Sequence, residues 1–201
     1  LGLSVVVQSQ NWWTVGAEIE YTEGFLKETQ ENAVQGNAFL SATLPRGKHY
    51  DYEVDASFLG FFVTADHSFN EKASISGGLR FQYTNYKYDN KMIDGRTKED
   101  GTNCGFGGCR FSRPSDREDS FSTFSPNVGF IYEFNQNSQA YASISRGFRA
   151  PQTTELYRLQ NGQEVANINE VVLDSIELGF RSQGTWGEYA ISAFAMKKDN
   201  F

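Results

Sequence analysis

Residues 72–84 read KASISGGLRFQYT, and their side chains alternate between polar and apolar character. A period of two is typical of a β-strand, in which successive side chains point to opposite faces. A strand of a soluble protein averages about 5–6 residues, whereas a tilted strand that crosses a bilayer needs about 9–11. The stretch therefore predicts one long strand, extending at most over 71–88, whose apolar face carries Ala73, Ile75, Gly77, Leu79, Phe81 and Tyr83.

The same alternation recurs along the whole chain, with almost no helical period. It predicts an all-β protein with about eight strands, at 2–9, 13–21, 51–66, 72–84, 120–134, 138–148, 171–182 and 187–199.

The connections between these strands alternate between short and long. The links around 8–11, 69–71, 135–138 and 183–187 are short, whereas 22–50, 89–119 and 149–170 are long. Outer-membrane barrels have tight turns at one rim and extended external loops at the other. A soluble β-sandwich is the alternative, but its short strands and even loops are missing. The pattern favours an antiparallel transmembrane β-barrel.

Aromatic residues collect near both ends of the predicted strands. Tryptophan and tyrosine favour membrane–water boundaries, where one edge of the ring is wet and the other is apolar. We expect Trp12, Trp13, Tyr132 and Phe134 at the short-turn boundary and Tyr21, Tyr83, Phe121 and Phe124 at the long-loop boundary.

Charge and hydropathy exclude other classes of protein. The 201 residues contain 18 Lys and Arg against 25 Asp and Glu, a net charge of −7, so no nucleic-acid partner is expected. The longest apolar stretch, Phe58 to Val63, is too short for a membrane-spanning helix.

Two cysteines lie in the motif CGFGGC, at Cys104 and Cys109. This spacing suits a small disulfide ring in an oxidising compartment, and a pair of free thiols is the alternative. A zinc site would need two further ligands. The carboxylates of the same loop lack the spacing of an EF-hand, so we expect no metal site and a solvated external loop; they are Asp89, Asp94, Glu99 and Asp100.

Catalytic residues are not indicated. His49 and His67 each lie near an aspartate, but the chain has no Gly-x-Ser-x-Gly elbow. Glu18 and Glu20 could resemble a paired-carboxylate site, although carboxylates two apart on a strand normally line a wet surface. We expect no enzyme and no catalytic residue.

The polar faces of the strands predict the interior of the barrel. If the apolar residues face lipid, as expected for Val15, Ile19, Ile75, Leu79 and Phe81, the polar positions line the lumen. The lumen-facing candidates are Glu18, Glu20, Arg80, Gln82, Glu177 and Arg181.

Three stretches, SISRGFRAP (143–151), ELY (155–157) and DSIELGFR (174–181), resemble the barrel of TonB-dependent outer-membrane receptors. The order and spacing match that family, and 16–30 and 47–55 are similar to a subset of it. No Pro precedes Glu170, where the family often has Leu-x-Pro-Glu. The residues that match its motifs are Gly147, Phe148, Arg149, Pro151, Glu155, Leu156, Glu177 and Gly179.

The resemblance implies a bacterial outer-membrane receptor for the TonB-energised uptake of a scarce small molecule, such as a ferric siderophore, without a cofactor. Its partners would be the lipid bilayer, the rest of the barrel, a plug domain and, through the plug, TonB. Because the chain starts at Leu1 without a signal peptide, we expect residues 1–201 to be about eight strands of a larger, 22-stranded barrel, with the plug outside this chain. A passive porin-like or structural barrel is the alternative.

Overall fold

The computed structural model describes residues 1–9, 12–165 and 168–200. These residues form ten strands and two short helices. Their bounds are β1 Gly2–Gln8, β2 Trp13–Gln30, α1 Ala38–Thr43, β3 Gly47–Ser68, β4 Ala73–Asn90, β5 Phe111–Ser112, β6 Arg117–Asn135, β7 Ser138–Arg149, α2 Thr153–Tyr157, β8 Leu159–Gln160, β9 Val171–Gly184 and β10 Gly187–Asp199.

Eight of the strands form one antiparallel sheet in the order β1-β2-β3-β4-β6-β7-β9-β10, so each long strand pairs with the next one along the chain. The predicted all-β class and the eight long strands are confirmed. The sheet is open, with β1 and β10 at its edges. The two short strands, β5 and β8, pair only with each other and were not predicted.

Several strands extend further at the long-loop end than the sequence predicted. The second predicted strand, 13–21, continues to Gln30, and the third begins at Gly47 rather than at 51. Likewise, β6 begins at Arg117 rather than at 120. Beyond Tyr21 the apolar side chains change from the outer to the inner face, where Leu26 pairs with Tyr52 and packs against the buried core. The alternation that runs up to Tyr21 is therefore interrupted while the backbone pairing continues. The long loops are therefore shorter than expected, at 31–46, 91–116 and 150–170.

The register divides the sheet into two faces, because paired residues of neighbouring antiparallel strands point to the same side. Glu18 lies opposite Gly60, and Gly60 lies opposite Gln82. We call this side the inner face, since the loops described below pack on it. The opposite, outer face carries a broad row of exposed apolar side chains, among them Val5, Val15, Ile19, Phe61, Val63, Leu79, Val128, Ile144 and Ile176.

One predicted boundary aromatic lies on the wrong face for a lipid boundary. Phe121 is opposite Thr84 on the inner face, and its ring is 6.2 Å from that of Tyr86. Both pack against the buried cluster of the inner face rather than against the outside. Phe121 and Phe124 are an odd number of residues apart on the same strand, so their side chains point to opposite faces, and only Phe124 is exposed on the outer face.

The buried core lies at the long-loop end of the inner face. Strands β3 and β4 contribute Tyr50, Tyr52, Val54 and Tyr88, while the rest comes from loops 91–116 and 150–170. We call the described residues of these two loops the cap. They contribute Cys104, Cys109, Phe111, Leu156, Tyr157, Leu159 and Val165. The apolar core thus joins loops to wall.

No helix among the described residues is long and apolar enough to cross a membrane.

Candidate ligand-facing wall and its cap

An ion pair lies on the inner face where β2, β3 and β4 meet. The carboxylate of Glu18 contacts the guanidinium of Arg80, which also lies 5.9 Å from the ring centroid of Phe58. Gly60 separates the two strands at this point, and a Cβ there would lie 2.6 Å from Glu18 Oε1. Glycine at 60 therefore leaves the space that the pair occupies.

The remaining candidates on this part of the wall lie next to that pair. Glu20 accepts a 3.2 Å hydrogen bond from the hydroxyl of Thr22, and Gln82 lies opposite Gly60. Both border a cavity of 330 Å³ that reaches Ala150, the first residue of loop 150–170. Its lining includes Glu20, Thr22, Phe58, Gln82, Thr84, Tyr86 and Arg149. Four of the six predicted lumen-facing residues thus lie on β2 and β4, the two strands that flank β3, and two of the four border one mixed polar and aromatic cavity.

Glu177 and Arg181 belong to a separate group on β9, with β6 and β7 between them and β4. Tyr141 donates a 2.8 Å hydrogen bond to Glu177, and Arg181 lies opposite Gln139. The Tyr141 ring also covers Gly179, where an added Cβ would lie 2.2 Å from Cζ of the tyrosine. The glycine of the Glu-x-Gly motif thus makes room for the aromatic ring that holds its glutamate.

The motif residues at the end of β7 form a tight turn into α2. The Arg149 Nη1 and Nη2 groups each donate a 3.0 Å hydrogen bond to the carboxylate of Glu155. The backbone N–H of Gln152 donates a 2.7 Å bond to the same carboxylate, which closes a capping box at the helix start. Pro151 and Leu156 are fully buried.

Tyr157 connects the cap to two wall strands. Its ring stacks on that of Tyr88 with centroids 4.3 Å apart, and its hydroxyl donates a 2.9 Å hydrogen bond to Asp119 of β6. Asp119 also accepts bonds of 2.7 and 2.6 Å from Arg117. Burial and the neighbouring carboxylate raise the pKa of Tyr157, so the hydroxyl stays a donor at neutral pH.

Arg113 is a buried cation at the centre of loop 91–116, with 1% of its surface exposed. It donates to the carbonyl oxygens of Ile93, His49 and Thr97, at 2.7, 3.0 and 2.6 Å, and to Thr97 Oγ1 at 2.9 Å. Burial lowers the pKa of the guanidinium, although an arginine in a protein remains charged. The sequence does not indicate a role for Arg113, because a single arginine in a polar loop is normally exposed.

The cysteine motif forms a disulfide ring within the cap. Cys104 and Cys109 are bonded, and Arg96 donates to the carbonyl oxygens of Cys109 and Gly108. The ring also contacts α1 of the first loop, since the Gly105 N–H donates to the carbonyl of Ala42. Loop 91–116 therefore contacts loop 31–46 here and loop 150–170 through the β5–β8 pair.

The two histidines and the loop carboxylates have local partners. Nε2 of His49 lies 2.7 Å from the carbonyl oxygen of Pro45, and its ring stacks on Phe111. The ring of His67 contacts that of Phe69 at the short-turn end. Within the described part of the chain no three His, Cys, Asp or Glu side chains are grouped as metal ligands. The loop carboxylates bind neighbours instead: Asp89 with Lys91, Asp94 with Asn90, Glu99 with Lys48 and Asp100 with Thr102.

The motif ion pair predicts an acid-sensitive cap. The Arg149 guanidinium and the Gln152 N–H hold the pKa of Glu155 below its ordinary value of 4.5. A carboxyl whose pKa is lower in the folded state stabilises that state fully above its unfolded pKa, and the contribution is lost as the pH falls through the folded value. We expect pepsin to cleave at Leu156–Tyr157 faster at pH 2.5 than at pH 4, relative to a control peptide. In Glu155→Gln the cleavage should already be fast at pH 4, and an unchanged wild-type ratio would contradict this assignment.

The fold and this wall define a class of protein: an antiparallel sheet with an apolar outer face, a polar inner face and loops gathered at one end, as in outer-membrane barrels. The model of the family described as TonB dependent receptor-like, beta-barrel matches residues 3–201. The chain belongs to that family, which confirms the resemblance found in the sequence. TonB-dependent receptors are transporters, and they belong to the bacterial outer membrane.

A solved structure shares the fold. The ferric-catecholate import receptor Fiu from Escherichia coli K12, in its closed form, matches 98% of this chain with a TM-score of 0.59 and 13% sequence identity. The chain spans 30% of the Fiu chain. No curated protein sequence matches this 201-residue chain.

Proposed function

We propose that the chain supplies part of the barrel wall and external loops of a receptor for the TonB-energised uptake of a scarce small molecule. The observation that carries this proposal is the contrast between the outer and inner faces of the sheet. An exposed apolar outer face suits lipid, and the charged inner face beneath folded loops suits a wet or plugged lumen.

The inner face has the chemistry of a surface that contacts a polar partner without reacting with it. Glu18 and Arg80 compensate each other's charge, and Glu177 accepts a hydrogen bond from Tyr141. Uncompensated charge would be costly in such a lumen. We assign Glu18, Glu20, Arg80, Gln82, Glu177 and Arg181 to the lumen, where they contact a plug or a passing ligand.

The structural likeness supports a proposal for the ligand class. Fiu imports ferric catecholates, and we propose a ferric siderophore, with a catecholate as the first to test. The cavity next to Ala150 combines the rings of Phe58 and Tyr86 with the polar side chains of Gln82 and Thr84, which suits contact with a ligand that carries aromatic groups.

The test is radiolabelled iron uptake in a bacterium that expresses the complete receptor as its sole candidate siderophore transporter. Ferric-catecholate uptake should saturate at low concentration and stop when the TonB gene is deleted or a protonophore is added. Uptake that continues without TonB and rises linearly with concentration would instead favour the passive barrel. A purified receptor that conducts ions in planar bilayers without ligand would favour it too.

A further inference from the structure

We propose that the outer face of β6, β7, β9 and β10 carries a binding site for a membrane lipid with a phosphate head group. The acyl part of the lipid lies in an apolar groove of this face, and its phosphate contacts the cations Arg146 and Lys197, which line the same groove. The site faces the bilayer and not the lumen, so it is independent of the transported ligand proposed above.

Charged side chains interrupt the apolar outer face in its long-loop half. Arg146, Asp174 and Lys197 each lie two residues beyond an apolar residue of that face, toward the long loops. Apolar residues resume beyond the first two, since Phe148 pairs with Val172 on the same face. A charged side chain that faces lipid is costly, although the cost falls toward the interface. Charges set within an apolar band therefore indicate a function.

The three charged residues form one row across neighbouring strands, with a cation on each side of a carboxylate. Arg146 of β7 and Lys197 of β10 both lie directly opposite Asp174 of β9. Arg146 donates to the two carboxylate oxygens through Nε and Nη2, at 2.5 and 2.8 Å. Because a guanidinium has five N–H donors, its Nη1 group can also donate to a ligand.

Lys197 is the more exposed of the two cations. Its side chain is 72% exposed, against 50% for Arg146. It donates a 2.8 Å hydrogen bond to Asp199, which is not among the residues that line the groove. Since the only carboxylate among the described lining residues is Asp174, the charges at the groove favour an anion.

The groove continues from this row toward the short-turn end and has a volume of 720 Å³. An apolar groove that ends in two cations matches a lipid, whose acyl chains end in an anionic head group. Arginine and lysine side chains lay their stems along apolar surface and direct their charged ends to the interface. The apolar lining consists of Pro126, Val128, Ile144, Ile176 and Ala195.

The position of the row indicates the leaflet from which the lipid comes. Outer-membrane barrels carry their long loops on the external side. Because the row lies in the long-loop half of the sheet, we assign the site to a lipid of the external leaflet.

Native mass spectrometry of the purified, delipidated complete receptor with added lipid A tests the phosphate contact. Arg146→Gln with Asp174→Asn replaces the ion pair by two amides and leaves the net charge unchanged. We expect the affinity for lipid A to fall about fivefold in this double variant, as for the loss of one cation near a head group. Asp174→Asn alone should raise the affinity, because it releases Arg146 from its partner.

The comparison probe is monophosphoryl lipid A, which lacks one phosphate. The wild-type receptor should bind it more weakly than lipid A, and the double variant should reduce this difference. Equal affinity of the wild type for both probes, or a fall in affinity in Asp174→Asn, would overturn the assignment of the phosphate to Arg146.

The matched control for charge is Lys87→Gln. Lys87 is an exposed cation on the outer face of β4, but it lies opposite Asp55 and Glu118 and does not line the groove. Lys197→Gln should weaken lipid A binding about fivefold, whereas Lys87→Gln should leave it unchanged. Equal losses in the two variants would show a general attraction of the surface for phosphate and would overturn the site.

The acyl part of the site is tested by filling the groove. Ala195→Phe places a ring in its lining, whereas Ala193→Phe places the same ring on the same face of β10, outside the lining. We expect only Ala195→Phe to weaken lipid A binding, by at least about threefold, as for the loss of one buried methylene contact. Heat-modifiable migration on a gel checks that both variants are folded.

Two results would contradict the acyl assignment. Equal binding by Ala195→Phe and Ala193→Phe would show that the groove holds no lipid. Receptor dimers in the wild type that only Ala195→Phe dissociates would assign the groove to a second copy of the chain instead.

Discussion

Replacing Arg113 with Met should unfold the cap while leaving the eight-stranded sheet intact. The side chain donates four hydrogen bonds to oxygen atoms of His49, Ile93 and Thr97, and these would lose their partner in a buried place. Leaving a buried acceptor without its partner costs about 1–3 kcal/mol for each group. An exposed ion pair in the cap contributes only about 0–1 kcal/mol, so the remaining ion pairs cannot offset the loss of these buried hydrogen bonds.

The measurement is amide exchange of loops 91–116 and 150–170 against exchange of the strands, in detergent. Arg110→Met is the matched control, because Arg110 lies in the same loop, is exposed and uses its backbone rather than its side chain to contact α1. We expect fast exchange in both loops for Arg113→Met and wild-type exchange for Arg110→Met. Equal protection in the two variants would show that the buried guanidinium does not hold the cap together.

Replacing Leu79 with Arg should block assembly into the outer membrane. Leu79 is 43% exposed on the outer face, where its neighbours across the sheet are Val63 and Pro126. An arginine that faces lipid near the middle of the bilayer costs about 2–4 kcal/mol. Gln82→Arg places the same charge on the same strand, three residues further along, but on the inner face beside Glu20.

Heat-modifiable migration on a gel after expression in cells reports assembly. Only Leu79→Arg should lose the fast-migrating folded form. If Gln82→Arg were the damaging change and Leu79→Arg were tolerated, the assignment of the two faces would be reversed, and with it every lumen-facing residue proposed above.

The eight-stranded sheet could be predicted because the pattern that specifies it is periodic. Strand β4 alternates polar and apolar side chains over 73–84, and pairing with both neighbours preserves that parity. The family resemblance was also present in the sequence, since motifs such as GFRAP keep their order and spacing. The prediction became inaccurate where the apolar side chains change face: Leu26 of β2 packs against the core of the inner face, whereas Val15 and Ile19 lie exposed on the outer face.

The candidate site was only partly predictable. Parity suffices to place Glu18, Arg80 and Gln82 on one face, but it does not show that Glu18 contacts Arg80, which requires the register of three strands and a glycine at 60. The spacing of the cysteines suited a ring, and that ring is formed. Its contact with α1 depends on a loop far away in the sequence.

The sequence by itself determined the strands, their two faces and the family, because each depends on neighbours a fixed number of residues apart. Only the tertiary structure decided that the loops fold into a cap. The burial of Arg113, the stacking of Tyr157 on Tyr88 and the β5–β8 pairing join residues separated by long stretches of chain. Such contacts form when irregular loops bury apolar surface against a wall that is already paired. No local sequence pattern indicates which distant residue a loop side chain will contact.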